Sequence, residues 1–315
     1  MSKKDPLVII AGPTAVGKSE TAVALAEKID GSIISADSMQ VYHGMDIGTA
    51  KITEEEMRSI PHYLIDVLQP DEPFHVVRFQ EMAERAIQEI REAGRIPIIC
   101  GGTGFYIQAL LYGIDFTETT ADPALRQELE DLAKKEGPEA LHEMLAQIDP
   151  MSAQQIHPHN IKRQIRAIEF YRHSGTPISE ANARERQKPP SYNAAYFCLT
   201  MDRTTLYARI DLRVDQMIEK GLLDEVKHLH DLGYEKDMVS MQGLGYKEIL
   251  LYLDGEIPFE EAVYRIKRDS RHFAKRQLTW MNREKEVLWI KREDYPKTED
   301  VVQFIIKKLK EKEIL

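Results

Sequence analysis

Short apolar runs alternate with segments of helical spacing over the first 114 residues of the chain. Apolar strands that alternate with helices are typical of a parallel sheet with helices on both faces. The pattern therefore predicts an α/β fold with a doubly wound parallel sheet. The predicted strands cover residues 7–11, 32–36, 63–66 and 96–100, and the predicted helices begin at residues 19, 76 and 104.

The pattern becomes entirely helical after residue 114. Apolar residues recur at helical spacing from Asp122 to His173, and the glycine- and proline-containing stretch Ser174–Asn193 is predicted to be a loop. The strand pattern then returns, so the simplest arrangement is a sheet domain interrupted by a helical insertion. The later predicted elements are a strand at 195–201, one helix over 205–232, a strand at 287–290 and an amphipathic helix from 301.

The composition is that of an ordinary globular protein, with 43% hydrophobic and 30% charged residues among 315. No apolar run has the length of a membrane span or a signal sequence, so we expect a cytoplasmic protein that does not associate with membranes. A monomer is the default expectation. The two cysteines, Cys100 and Cys198, lie in predicted strands, which favours reduced, buried thiols over a disulfide or a zinc site.

Two segments are locally basic although the formal net charge is −10. Residues 155–190 carry seven basic and three acidic residues, and residues 264–285 carry eight and two. The second segment also contains Tyr264, Phe273 and Trp280, and cations interleaved with aromatic side chains are suited to binding phosphates and stacking on bases. A solvated helix face would explain either segment alone, but the two together favour a polyanionic partner.

The segment GPTAVGKS matches the phosphate-loop pattern G-x-x-x-x-G-K-[ST]. It lies between a predicted strand and a predicted helix, where backbone N–H groups and the helix N-terminus bind phosphate. Lys18 would supply a counter-charge and Ser19 a ligand for Mg2+. The predicted diphosphate- or triphosphate-binding residues are Gly12, Pro13, Thr14, Ala15, Val16, Gly17, Lys18 and Ser19.

The carboxylate that nucleoside triphosphatases place after a second apolar strand is missing at the expected position. The strand at 96–100 leads into Gly101-Gly102-Thr103-Gly104, whereas Asp37 follows the strand at 32–36. Residues at the carboxyl ends of parallel strands line the ligand crevice of such sheets. We therefore predict that Asp37 faces the phosphate loop as a base or magnesium anchor, with a helix cap or turn as the structural alternative.

Six segments of the chain resemble, in the right order, the tRNA dimethylallyltransferase (tRNA isopentenyltransferase) family. The resemblance spans about residues 6 to 290. Ser19 stands where many members have threonine and Ile52 where proline is frequent, and neither change removes a needed group. The segments are GPTAVGKS (12–19), SADSMQVYHGMDIGTAK (35–51), GGTGFYIQALLYG (101–113), HPHNIKRQIRAIE (157–169), GLGYKE (243–248) and AKRQLTWMNR (274–283).

The resemblance implies an activity and a fold. The activity is transfer of a dimethylallyl group from dimethylallyl diphosphate to the exocyclic amine of the adenosine just 3′ of the anticodon in tRNA, with release of pyrophosphate. The fold is a P-loop nucleotide-kinase-like parallel sheet. The resemblance also implies two domains. A catalytic core comprises residues 1–114 and 196–315, and a helical insertion domain of residues 115–195 contacts tRNA.

The resemblance also implies roles for individual residues. Asp37 would take the proton of the attacking amine, and Lys18, Ser19 and Mg2+ would stabilise the departing pyrophosphate. An arginine after the returning strand, Arg213 or else Arg209, would join them. Gln40 would pair with the edge of the adenine. The implied tRNA contacts are Asp37, Ser38, Met39, Gln40, Thr103, Lys162, Arg163, Gln164, Ile165, Arg166, Gln242, Gly243, Leu244, Gly245, Tyr246, Lys247, Lys275, Arg276, Gln277, Trp280 and Asn282.

Other classes of protein fit parts of the sequence. A small-molecule kinase would use the same phosphate loop and Asp37, but this function would not explain the basic segment 264–285. A prenyltransferase acting on free adenine nucleotides needs no extended RNA surface. A non-enzymatic RNA-binding module would not need Lys18 and Asp37 together. Incubation with labelled dimethylallyl diphosphate and either tRNA or AMP would separate these alternatives.

Overall fold

The computed structural model describes residues 4–116, 122–185 and 187–315. The chain divides into two compact units, of which the first is formed by Met1–Leu111 and Ser191–Leu315 and the second by Tyr112–Pro190. Within the described ranges, no helix is both long and apolar enough to cross a membrane.

The first unit is built on a parallel sheet whose six strands, within the described residues, have the order β3-β2-β4-β1-β5-β6. The predicted α/β fold with a parallel sheet is therefore confirmed. The first strand in the chain lies inside the sheet, so its end is flanked by the ends of β4 and β5. The strands are β1 (Pro6–Ala11), β2 (Gly31–Ala36), β3 (His62–Tyr63), β4 (Ile96–Gly101), β5 (Asn193–Thr200) and β6 (Val287–Lys291).

Several helices of the first unit pack against this sheet. On one face, apolar side chains of β1 and β5 contact α1 and the C-terminal helix, and Val8, Ile10 and Phe197 are completely buried. Each such side chain contributes roughly 1.5–3 kcal/mol of transfer free energy. The helices are α1 (Lys18–Ile29), α2 (Glu54–Met57), α3 (Val76–Glu92), α4 (Gly104–Tyr112), α5 (Pro123–Glu136), α6 (Pro138–Ile148), α7 (Pro150–Gln155), α8 (Ile161–Ser174), α9 (Ile178–Glu185), α10 (Arg203–Glu219), α11 (Leu222–Asp231), α12 (Tyr246–Leu253), α13 (Phe259–Met281) and α14 (Thr298–Glu311).

Helices α5 to α9 belong to the second unit, which has its own apolar core. Leu129, Leu141, Leu145 and Ile168 are its most buried members. The buried Glu169 of α8 joins the start of α5, because its carboxylate accepts hydrogen bonds from the Asp122 backbone and from two nitrogens of Arg126.

Three predicted elements differ in the structure. The strand predicted at 63–66 is limited to His62–Tyr63, because the next residue, Leu64, has a positive φ of 63°. The helix predicted over 205–232 is two helices, because Gly221 adopts a left-handed conformation with φ of 97° between α10 and α11. The loop predicted over Ser174–Asn193 contains α9. The buried carboxylate of Asp149 accepts hydrogen bonds from the N–H and the hydroxyl of Ser179, which secures the start of that helix.

Candidate active site and nucleic-acid interface

The phosphate loop connects β1 to α1 and contains residues with positive φ. Gly12 and Gly17 have φ values of 150° and 96°, and Ala15 has a φ of 64°. Space is also restricted at Gly12, because a Cβ atom there would lie 2.6 Å from the carbonyl oxygen of Leu199 at the end of β5. A positive φ therefore favours glycine at both motif positions, and at Gly12 the neighbouring strand also excludes a side chain.

Lys18 is the first residue of α1, and its side chain returns to the loop. Its Nζ donates a hydrogen bond of 2.8 Å to the carbonyl oxygen of Pro13. Burial lowers the pKa of Lys18, and the Arg213 guanidinium lowers it as well, whereas the Asp37 carboxylate raises it. The neighbouring Ser19 is exposed. The loop thus holds a desolvated cation beside an accessible hydroxyl.

Two arginines of α10 reach this loop. Arg209 Nε donates to the carbonyl oxygen of Ala15 at 2.9 Å, and Arg213 Nη1 donates to the Thr14 hydroxyl at 3.3 Å. Burial lowers the pKa of Arg213, and the Asp37 carboxylate opposes that shift. The structure therefore brings both candidate arginines to the loop, and Arg213 is the one that also interacts with Asp37.

Asp37 lies just after β2, at the same edge of the sheet. Its Oδ1 accepts hydrogen bonds from the backbone N–H groups of Met39 at 2.9 Å and Gln40 at 3.4 Å. The carboxylate interacts electrostatically with both Lys18 and Arg213. Asp37 is thus a turn residue and also shares the crevice of the phosphate loop, so the two alternatives are compatible.

The side-chain amide of Gln40 is bonded inside the protein. Its Oε1 accepts from the Ser35 hydroxyl at 3.3 Å, and its Nε2 donates to the carbonyl oxygens of Thr49 at 3.4 Å and Ala50 at 3.3 Å. These bonds connect the turn after β2 to the loop at 46–50. Pairing of this amide with an adenine would require the exchange of these bonds.

Glu225 of α11 organises the same loop, and sequence reasoning missed it. Its carboxylate accepts hydrogen bonds from the N–H groups of Asp46, Ile47 and Gly48 at 2.7–3.0 Å and from the Tyr246 hydroxyl at 2.6 Å. Burial and the adjacent Glu225 raise the pKa of Tyr246 well above its usual value. Residues 46–48 and Tyr246 lie in segments that resemble the family, but Glu225 does not. The resemblance therefore indicates that this loop matters and does not indicate an acidic partner for it in α11.

The turn at Gly101–Gly104 lies against the end of β2. A Cβ atom at Gly101 would lie 2.2 Å from the carbonyl oxygen of Ala36, and the Thr103 backbone N–H donates to that oxygen at 3.2 Å. Thr103 therefore lies next to the residue that precedes Asp37. The turn also contacts α13, because the side-chain amide of the buried Gln277 donates a hydrogen bond to the carbonyl oxygen of Gly102.

Only part of the basic segment 264–285 is available to a polyanion. Lys275 and Arg276 are exposed, and neither has an ion-pair partner within the described residues. Asn282 is exposed at the end of α13, and Trp280 is partly buried with its ring edge-to-face against Phe105. The cations that are instead paired with carboxylates are Arg265 with Glu261, Lys267 with Asp215, Arg268 with Asp269 and Arg271 with Asp211.

Helix α8 of the second unit divides its predicted contact residues between two environments. Lys162, Arg163 and Arg166 are exposed and make no ion pair in the part of the chain that the structure describes. Gln164 and Ile165 are buried, and the Gln164 amide donates to the carbonyl oxygen of Pro158. The first three offer charge to a partner, whereas the other two hold the helix in place. Arg186 of the same basic segment lies outside the described residues.

The predicted contacts at Gln242–Lys247 are similarly divided. Gln242 is exposed, and its amide donates to the carbonyl oxygen of Lys236. Gly243 and Leu244 are half-buried, Gly245 caps the start of α12 with φ of 96°, and Tyr246, the first residue of that helix, is buried. The buried carboxylate of Glu248 accepts from the Gly245 N–H at 2.9 Å and fixes this turn. Lys247 is partly exposed beside it.

The oxygen donors at this edge of the sheet fit Mg2+. No group of three or more His, Cys, Asp or Glu side chains that could hold a metal occurs in residues 4–116, 122–185 and 187–315. Mg2+ usually takes only one or two oxygen ligands from the protein and completes its shell with water and substrate phosphates. The accessible Ser19 hydroxyl and the Asp37 carboxylate are ligands of that kind.

These features define a P-loop protein of the α/β class, with a phosphate loop, two arginines and a carboxylate at one edge of a parallel sheet. The sequence profile of the IPP transferase family matches residues 40–284. The chain therefore belongs to the IPP transferase family, and the resemblance inferred from the six segments is confirmed.

Individual relatives match nearly the whole chain. The tRNA dimethylallyltransferase of Lachnoclostridium phytofermentans is 56% identical over 310 residues, which are 98% of this chain and 99% of that protein. The full-length tRNA isopentenylpyrophosphate transferase from Bacillus halodurans has a solved structure that is 47% identical, with a TM-score of 0.73 and coverage of 98% of each chain. A eukaryotic dimethylallyltransferase acting on tRNA is 29% identical, with a TM-score of 0.78 over 91% of this chain and 74% of its own.

Proposed function

We propose that this chain transfers the dimethylallyl group of dimethylallyl diphosphate to the N6 amine of the adenosine that follows the anticodon in tRNA. The observation that carries the proposal is that Lys18 and Arg213 both bond to the phosphate loop, while Asp37 lies at the same edge of the sheet and interacts electrostatically with both. A proton acceptor and two cations for the leaving group therefore share one crevice. A hydrolase would need in addition a group that positions water.

The phosphate loop would bind the diphosphate and stabilise it as it leaves. As the allylic C–O bond breaks, its electron pair goes to the pyrophosphate, and preorganised cations and N–H groups are most effective where such charge develops. Lys18 and Arg213 are desolvated, which strengthens their interaction with the leaving group. Ser19 would hold Mg2+, whose chemistry is to neutralise charge on the pyrophosphate oxygens.

Asp37 would act on the nucleophile. The exocyclic amine of adenine is weakly basic, so a carboxylate that accepts its proton while the N–C bond forms lowers the barrier. The hydrogen bond from the Met39 N–H to Oδ1 fixes the carboxylate and leaves Oδ2 for this proton. Ser38, Met39 and Gln40 are half-buried beside it and would form the wall around the adenine.

The exposed cations would bind the tRNA backbone. Adenosines in loops are unstacked at lower cost than bases in a duplex, so an anticodon loop suits an enzyme that must reach the N6 amine. Lys275 and Arg276 of α13 and Lys162, Arg163 and Arg166 of α8 offer free positive charge to its phosphates. We infer that the chain acts as a monomer, in the cytoplasm where its tRNA substrate is found.

The test is incubation of the protein with labelled dimethylallyl diphosphate and Mg2+, with an anticodon stem-loop, AMP or no acceptor. Label should enter the stem-loop with equimolar release of pyrophosphate, and the Lys18→Ala variant should be inactive. Transfer to AMP with equal efficiency would instead favour a free-nucleotide prenyltransferase. Consumption of ATP stimulated by tRNA would favour a kinase.

A further inference from the structure

Helix α13 has opposite properties on two faces near its C-terminal end. Lys275 and Arg276 are exposed, whereas Gln277 is 6% exposed and Met281 is fully buried. A polar side chain in such a position needs hydrogen bonds within the protein. The sequence resemblance implies that Gln277 contacts tRNA, but its side chain points into the protein.

The Gln277 amide bridges the loops that follow β1 and β4. Its Oε1 accepts a hydrogen bond of 2.9 Å from the Thr14 backbone N–H in the phosphate loop. Its Nε2 donates one of 3.1 Å to the carbonyl oxygen of Gly102. The amide therefore uses its acceptor on one loop and its donor on the other, and only one orientation satisfies both.

The contact with Gly102 leaves no room for a side chain. A Cβ atom at Gly102 would lie 2.0 Å from Gln277 Nε2. A similar fit recurs one helical turn later, where a Cβ atom at Gly104 would lie 2.2 Å from Trp280 Cδ1. The glycines of this turn thus let α13 approach the ends of the strands closely.

The bond to Thr14 also changes which loop amides can reach a diphosphate. Phosphate loops bind oxygens through consecutive backbone N–H groups, and here the Thr14 N–H is directed to Gln277 instead. The Thr14 amide is therefore occupied within the protein, and a ligand would rely on other amides of the loop. The bond to Gln277 thereby fixes the position of Thr14, at the start of the part of the loop that would surround the diphosphate.

We propose that Gln277 is a positioning residue for the diphosphate and not a tRNA contact. It acts through Thr14 and Gly102, and it fixes the phosphate loop relative to the turn that carries Thr103. This role rests on the proposed function for its effect on turnover, but its effect on pyrophosphate binding does not depend on that function.

The experiment uses Gln277→Met, which keeps the length of the side chain without the two hydrogen bonds, and Gly102→Ala, which displaces the amide from the other side. Binding of pyrophosphate with Mg2+ and of an anticodon stem-loop is measured by calorimetry over a range of salt concentrations. We expect both variants to weaken pyrophosphate binding about ten-fold, because small displacements of a binding loop have large effects. Stem-loop affinity and its salt dependence should change less than two-fold.

A double variant provides the second measurement. If both changes break the same bridge, Gln277→Met combined with Gly102→Ala should weaken pyrophosphate binding no more than the stronger single change. Arg276→Ala is the matched control and should weaken only the stem-loop. Weaker stem-loop binding by Gln277→Met with unchanged pyrophosphate affinity, or additive losses in the double variant, would overturn the assignment. Absence of prenyl transfer by the wild-type protein would reject the proposed function and leave this result intact.

Discussion

At the scale of single residues, Asp37 combines a structural bond with the proposed chemistry. We expect Asp37→Asn to lower turnover on the order of a hundred-fold, the usual contribution of a general base. Binding of tRNA should stay within a few-fold, since the asparagine oxygen can still accept from Met39. Single-turnover rates and stem-loop affinity provide the measurement. Normal turnover with a collapse of tRNA affinity would make Asp37 a docking residue.

Most site residues follow from the sequence, but the direction of their side chains does not. The glycine pattern and the apolar runs place Lys18, Ser19 and Asp37 at one edge of the sheet, as the structure does. For Gln40 and Gln277, the sequence indicates a polar group near the site and no more. The amide nitrogen of each donates to a backbone oxygen, that of Ala50 for one and that of Gly102 for the other. Any residue can supply such an oxygen, so no pattern of side chains predicts these bonds.

At the scale of elements, Glu225 connects α11 to the loop at 46–50. Removal of the carboxylate by Glu225→Ala would leave three backbone N–H groups and the Tyr246 hydroxyl without their acceptor. We expect a loss of roughly 2–3 kcal/mol in the free energy of unfolding, as for other partly buried charged acceptors. Urea unfolding measures it, with the exposed Asp231→Ala at the end of the same helix as the control. Equal stability of the two variants would contradict this role.

The exposed end of α13 makes a separate prediction. Replacement of Lys275 and Arg276 by alanine should weaken all tRNA substrates about equally and reduce the slope of log affinity against log salt by up to about two. Salt titration of stem-loop binding is the measurement. The matched control is Lys267→Ala on the same helix, which should leave the slope unchanged because Lys267 is paired with Asp215. An unchanged slope for the double variant would place the tRNA elsewhere.

Some boundaries of the helices could be predicted from neighbouring residues, and others could not. The division between α10 and α11 has a local cause, Gly221, and could have been predicted. Helix α9 has a remote cause, since Asp149 accepts from Ser179 thirty residues later. The pairing of Arg271 with Asp211 is also remote, so the sequence does not show which cations of the basic segment are neutralised within the protein. Bonds between residues far apart in the chain depend on how the elements pack, so the sequence pattern alone does not predict them.

At the scale of the whole molecule, Cys100 and Cys198 lie on the two strands that flank β1. Burial raises the pKa of Cys100 to about 11 and that of Cys198 to about 12, so both thiols stay protonated at neutral pH. We expect neither to react with iodoacetamide at pH 8 in the folded protein, and both to react at equal rates in urea. Mass spectrometry of the labelled protein is the measurement. Rapid labelling of either thiol without denaturant would show that the sheet opens locally.

The position of β1 inside the sheet has a consequence for synthesis. This strand precedes all others in the chain, yet Val8 pairs with Ile98 on one side and with Ala195 on the other. A ribosome that adds about 5–20 residues per second needs on the order of ten seconds or more to make both partners. During that time the apolar run Leu7–Ala11 has no finished sheet to cover it, and such a strand edge is prone to aggregation. One edge of β1 therefore has no strand to pair with until β5 has been synthesised.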